Sequence, residues 1–164
     1  MMYYAEVFDA LNKNNVRYLV VGGIAVVLHG FVRMTADLDL IIGLDEENVR
    51  KFLDVMKNID YKPKLPVNAE EFSDPNVREG WIKEKNMKVF SFIHAKDDYK
   101  IIDVFPNEPI PFADAYKRKQ AINAGGINVN VISFDDLIIL KKQSARGQDL
   151  DDIKMLEELK KKRG

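Results

Sequence analysis

Two stretches of this chain place carboxylates inside strand-like apolar runs: Asp37-Leu38-Asp39-Leu40-Ile41-Ile42 and Ile101-Ile102-Asp103-Val104-Phe105. Successive side chains on a strand alternate faces, so Asp37 and Asp39 project together while Leu38, Leu40 and Ile42 supply the opposite, buried face. Two like charges held side by side repel, and a divalent cation between them relieves the repulsion. Oxygen ligands favour magnesium or manganese, and the chain has no cysteine to offer a softer donor. Burying an unpaired carboxylate costs several kcal/mol, roughly, so Asp103 calls for a cation or strong donors opposite it. If its strand lies beside the first pair, three carboxylates converge as two-metal phosphoryl transfer requires. The plainer readings are a solvated strand face for the pair and a sheet-edge aspartate for Asp103.

Ahead of the pair, Val16 to Val21 reads as a buried strand stopped by Gly22-Gly23, and Ile24 to His29 as a short helix ending at Gly30. Bare backbone between a strand and a helix can cradle phosphate oxygens, although a double glycine is more often only a turn. Arg33 and Thr35, between the glycines and the aspartates, are candidates to reach an incoming phosphate, or belong to a surface loop.

The remaining elements follow from periodicity. Tyr4, Val7, Phe8 and Leu11 mark a first helix, and Asp45-Glu46-Glu47 opens another through Val49, Phe52, Leu53 and Met56. Lys62 to Lys88, with three prolines, reads as loop with short helical pieces. Met87 to His94 and Tyr99 to Phe105 read as a hairpin, followed by a short helix near Phe112 to Tyr116. A second hairpin, Gln120 to Asn123 with Ile127 to Ile132, leads into two closing helices. The length of 164 residues fits one domain, and a formal net charge of −1 argues against a dominant electrostatic grip on nucleic acid. The N-terminus shows no secretory pattern and no run is long and apolar enough for a membrane span, so a cytoplasmic, membrane-free protein is expected.

On the first closing helix, Lys141 falls within the apolar stripe of Phe134, Leu137 and Ile138; on the second, Asp149 shares a face with Ile153 and Leu156 while Asp151 and Asp152 point elsewhere. Either Lys141 or Arg146 pairs with Asp149 to tie the helices, or Lys141 meets triphosphate charge. His29 and His94 read as structural.

The segment Gly22 to Ile42, GGIAVVLHGFVRMTADLDLII, resembles the motif of the DNA polymerase β-type nucleotidyltransferase superfamily, with Asp103 similar to its third acid. Val129 to Ile153 is similar to the lysine, arginine, aspartate pattern of the abortive-infection toxin branch and its minimal relatives. The resemblance implies an α+β fold over residues 1–164: a mixed sheet backed by helices, with a C-terminal helical pair over 132–163. It implies transfer of a nucleotidyl group from a nucleoside triphosphate to a hydroxyl acceptor, with magnesium or manganese on Asp37, Asp39 and Asp103. Gly22 and Gly23 would hold the β- and γ-phosphates, Asp103 would help ionise the acceptor, and Lys141 would neutralise phosphate charge. The second glycine replaces the hydroxyl many members offer, and the chain has no room for a separate substrate domain. Acceptor recognition then falls to Lys62–Lys88, to Phe112–Asn123 or to another subunit; Phe72 and Trp81 are candidates to stack on a base or simply to pack. Acceptors compatible with the resemblance are a tRNA end, a protein or a small molecule, and an antitoxin-like protein or a second copy is the candidate partner. Two competing readings are a catalytically inactive nucleotide-binding or interaction module of the same fold, and a manganese-dependent glycosyltransferase.

Overall fold

The computed structural model describes residues 2–144 and 146–163. In chain order the elements are α1 (Ala5–Lys13), β1 (Tyr18–Val21), α2 (Gly22–Leu28), β2 (Leu38–Ile42), α3 (Glu46–Asn58), β3 (Tyr61–Pro63), α4 (Pro75–Lys85), β4 (Phe90–His94), β5 (Ile101–Val104), α5 (Phe112–Lys117), β6 (Gln120–Ala124), β7 (Ile127–Val131), α6 (Phe134–Ser144) and α7 (Gly147–Arg163). The strands form one seven-stranded mixed sheet in the order β3-β4-β5-β2-β1-β7-β6. Strand β2 is parallel to β5, and β1 to β7; the other neighbours are antiparallel. The expected α+β architecture with two closing helices is present. Among the described residues no helix is long and apolar enough to cross a membrane.

One face of the sheet buries Leu38, Leu40 and Ile42 of β2, Phe90 and Phe92 of β4, and Ile102 and Val104 of β5. Helix α3 packs there through Phe52 against Phe92, and Trp81 of α4 stacks on Phe90. On the opposite face α2 lies over β1 and β2 and meets α6, so Leu19 and Ile41 are also sealed. Strands β1 and β2 are thus buried on both sides, as their nearly continuous apolar composition suits. The same opposite face over β4 and β5 is different: Ser91, Ile93, Ile101 and Asp103 are only half-buried.

The largest departure from expectation lies in Lys62 to Lys88. It contains a short edge strand, a 3-10 turn at Ala69–Ser73 and the eleven-residue helix α4. Asp74 caps α4 by accepting from Asn76 N at 2.9 Å, and Pro75 occupies its first turn, where a missing N–H costs nothing. The prolines punctuate this segment without abolishing its structure. Phe72 and Trp81 both pack on Phe90 and are buried, so neither offers a ring to a base.

Asn48 ties the sheet to α3. Its Nδ2 donates to Gly43 O at 2.8 Å and Arg17 O at 3.0 Å, and its Oδ1 accepts from Arg17 N at 2.8 Å. Asn48→Ala leaves these backbone groups unpaired at a buried position and is expected to destabilise the chain by about 2–4 kcal/mol, read as a lower urea midpoint with an unchanged slope.

Candidate active site

The two aspartate runs become neighbours because β2 and β5 are parallel and in register: Asp39 lies opposite Asp103, Leu38 opposite Ile102 and Leu40 opposite Val104. Residues directly opposite on adjacent strands point to the same face, so Asp39 and Asp103 project together. Asp37 precedes β2 by one residue and is half-buried like the other two. Burial, then Asp103 and Asp37, push the Asp39 carboxyl up to about 7, against the opposing pull of Lys141 and Arg146. Asp37 is raised for the same two reasons, burial and Asp103, with Lys64 opposing.

Each strand is held by partners that the sequence did not announce. Ser91, opposite Asp103 on β4, donates from Oγ to Asp103 Oδ1 at 2.5 Å. The buried Tyr4 hydroxyl donates to Ala36 O at 2.7 Å and accepts from Ile101 N at 3.3 Å. Tyr4 thereby pins the start of β2 to the start of β5, immediately beside Asp37 and two residues before Asp103. Burial, assisted by Asp37 and Asp103, pushes the Tyr4 phenol up to about 12, so it remains a neutral donor.

The glycines sit against these acids. Helix α2 begins at Gly22, not at Ile24, and so includes both glycines in its first turn. Gly22 has φ +67°, and a Cβ there would overlap the Asp39 carboxylate. At Gly23 a Cβ would collide with the Thr35 hydroxyl and lie 3.2 Å from Arg33 Nη1. Both glycines are therefore required by close approach, and the space a side chain would fill is bounded by Asp39, Thr35 and Arg33. Arg33 donates from Nη1 to Asp152 Oδ2 at 2.8 Å.

The closing helices bring a cation cluster to the same place. Lys141 is buried, with Nζ 2.9 Å from Asp152 Oδ2 and 3.3 Å from Asp149 Oδ1. Arg146 Nε is 3.0 Å from Asp149 Oδ2, which also accepts from Ser144 Oγ at 2.7 Å. Burial opposes ionisation of Asp149, but the Ser144 and Arg146 hydrogen bonds prevail and bring it down to about 2. The expected pairing of Lys141 and Arg146 with Asp149 is present. The expectation that Asp152 points elsewhere is corrected: Asp152 is fully buried and joins Lys141 to Arg33. Three residues advance a helix by 300°, so Asp152 lies only about 60° from Asp149, close enough to share its face.

A sequence model of a family described as nucleotidyltransferase of unknown function (DUF6036) matches residues 4–161. The chain belongs to this family. No curated protein matches it significantly. Among solved structures, the chain resembles the lincosamide antibiotic adenylyltransferase LnuA bound to lincomycin, at TM-score 0.62 and 19% identity, covering 96% of this chain and 95% of that one. It resembles the antibiotic-resistance factor ANT(2″)-Ia at TM-score 0.60 and 14% identity, over 92% and 78% of the two chains. A putative nucleotidyltransferase from Thermotoga maritima gives TM-score 0.58 and 15% identity, over 96% and 92%. These likenesses establish a shared fold with nucleotidyltransferases.

The donor set Asp37, Asp39 and Asp103, all carboxylate oxygen, suits a divalent ion of the oxygen-loving kind. Lys141 and Arg146 are engaged by Asp149 and Asp152, so they offset only part of what burial, Asp103 and Asp37 do to Asp39, and its carboxyl resists ionisation. Among the described residues no three acidic or imidazole side chains are drawn together closely enough to enclose an ion as they stand.

The raised Asp39 carboxyl gives a signed expectation. From its ordinary value of 3.8 up to about 7, the folded protein holds a proton that the unfolded chain has lost. Stability from this group is therefore full below pH 4 and falls as pH rises through 7, by at most about 4 kcal/mol. In chelator, Asp39→Asn is expected to melt above the wild type at pH 8, with the gap closing toward pH 4. A gap independent of pH in paired thermal melts would refute this.

Proposed function

We propose that this chain transfers a nucleoside monophosphate from a nucleoside triphosphate to a hydroxyl on a small-molecule acceptor, releasing pyrophosphate. The observation that carries the reading is the in-register pairing of Asp39 with Asp103, with Gly22 closed against Asp39. Asp37, Asp39 and Asp103 would hold magnesium or manganese, which when bound supplies charge neutralisation and Lewis-acid polarisation at the phosphoryl group undergoing transfer. Gly22, Gly23, Thr35 and Arg33 bound the space for the β- and γ-phosphates. Lys141 and Arg146 contribute positive field toward that space while Asp149 fixes their positions, so their role is electrostatic preorganisation. Asp103, oriented by Ser91, takes the acceptor's hydroxyl proton. The freed oxygen bonds to the α-phosphorus, the bond from that phosphorus to the bridging oxygen breaks, and its electrons leave with pyrophosphate.

The acceptor class draws support from the neighbours: LnuA is described with lincomycin, and ANT(2″)-Ia with adenylyl-2″-tobramycin. Retention of all three acids favours catalysis over an inactive module of the same fold. The cytoplasm, which holds nucleoside triphosphates and magnesium, is the compartment the reading requires.

The test is to incubate wild type and Asp37→Asn/Asp39→Asn with each α-labelled nucleoside triphosphate, magnesium and a panel of hydroxylated small molecules. Labelled product is expected from wild type, reduced at least about 100-fold in the double variant. Equal labelling by both proteins, or failure of wild type to bind any magnesium-nucleotide in calorimetry, would sink the assignment.

A further inference from the structure

The half of the sheet beyond Asp103 carries a bare face. Along β4 and β5 the even-numbered Phe90, Phe92, Ile102 and Val104 are buried, whereas the odd-numbered Ser91, Ile93, Ile101 and Asp103 are half-exposed. Ile93 and Ile101 lie opposite one another and stand on the face away from the core that α3 and α4 cover. Strand register extends this face to the edge. Lys62 lies opposite Ile93, and Lys64 N donates to Ser91 O, which places Lys64 beside Ser91. Two parallel rows of same-face side chains result: Lys62, Ile93 and Ile101, and Lys64, Ser91, Asp103 and Asp39.

The second row runs from an exposed lysine at the sheet edge through Ser91 to the carboxylates, and the first, which carries the isoleucines, lies beside it. Two strand spacings separate β3 from β5, about 10 Å. Among the described residues neither Lys62 nor Lys64 forms an ion pair. Lysines on an edge strand ordinarily deter strand pairing. These two also flank a half-exposed apolar patch continuous with the candidate active site.

We propose that the open face of β3, β4 and β5 is the acceptor platform, and that the acceptor carries an apolar body and an anionic group about 10 Å from the hydroxyl that is modified. This rests on the nucleotidyl-transfer reading. The apolar body covers Ile93 and Ile101, the anionic group meets Lys62 and Lys64, and the hydroxyl reaches Asp103. Charge complementarity decides the class: a polycationic acceptor would bring its ammonium groups against the lysine edge, and like charges brought together there would disfavour it. A carboxylate, phosphate or sulfonate on a hydrophobic frame fits all three parts of the surface.

The test uses 1-anilinonaphthalene-8-sulfonate, an apolar body with one anion, and the uncharged N-phenyl-1-naphthylamine as its control. Both are titrated into the full chain with labelled isoleucine methyls, comparing wild type with Lys62→Glu/Lys64→Glu, and magnesium-ATP affinity is measured on the same samples. The sulfonate probe is expected to shift Ile93 and Ile101 methyls before other isoleucines. The double variant is expected to weaken it about tenfold while changing the neutral probe less than about twofold. Undisturbed Ile93 and Ile101 methyls at saturation, or equal weakening of both probes, overturns the platform. A platform result as expected, with no magnesium-ATP binding by either protein, supports the amphipathic-anion site and removes the nucleotidyl-transfer reading instead. The exposed lysines are away from the core, so the double variant is expected to remain folded, and the dispersion of its isoleucine methyl resonances reports whether it has.

Discussion

Repulsion among Asp37, Asp39 and Asp103 is the constraint around which the rest of the structure is arranged. Parallel pairing of β2 with β5 puts Asp39 and Asp103 on one face, and nothing in hydrophobic packing would favour that placement. The chain tolerates it by fixing the backbone on either side. Tyr4 joins Ala36 to Ile101, Ser91 bonds Asp103, and Gly22 lets the first turn of α2 close on Asp39 where any Cβ would intrude. Like charges gathered and partly buried in this way cost stability, and such groups concentrate where a fold keeps an arrangement for chemistry.

The cation cluster of the C-terminal helices shows the complementary economy. Lys141 is buried and would be costly if unpaired, so Asp149 and Asp152 hold it, and these acids are themselves fixed by Ser144, Arg146 and Arg33. A network with every member satisfied can keep charges in a fixed geometry that solvent-exposed lysines would not maintain. Because Arg33 lies on the segment between the glycines and the aspartates, the same network couples α7 to the loop that borders the candidate phosphate space. The alternatives drawn from sequence, an interhelical ion pair or a phosphate-facing lysine, are consequently not exclusive. The ion pairs set the position from which Lys141 and Arg146 act on Asp39.

Much of this was legible in the residues. Period-two alternation located β2 and β5 and assigned Asp37, Asp39 and Asp103 to one kind of environment, and the double glycine marked the β1 to α2 junction. What sequence did not reveal falls into two physical kinds. Tyr4 and Ser91 act through contacts between elements distant along the chain, and no local pattern distinguishes a tyrosine that pins two strands from one that merely fills a core. Asp152 was legible in principle, since helical geometry places it beside Asp149; reading that face too narrowly missed it. In Lys62 to Lys88 the prolines suggested a lack of regular structure, yet one of them opens α4, where proline is compatible with a helix. Phe72 and Trp81 then followed local packing into the core beneath β4, as isolated aromatics commonly do.

The uneven covering of the sheet links fold to chemistry. Helix α2 covers the carboxylate face only over β1 and β2, and α6 packs onto α2. Connections of the other wing, α3 and α4, lie on the opposite side, where Phe52 and Trp81 meet Phe92 and Phe90. The aspartates consequently stand at the boundary between a sealed half and an open half of one continuous surface. A phosphate space on the sealed side can exclude water and strengthen electrostatic interactions, whereas an acceptor on the open side needs room to arrive and leave. A boundary position serves both demands on one surface. On the acceptor platform proposed above, selectivity resides in Lys62, Lys64, Ile93 and Ile101, side chains outside the core that can vary without disturbing it.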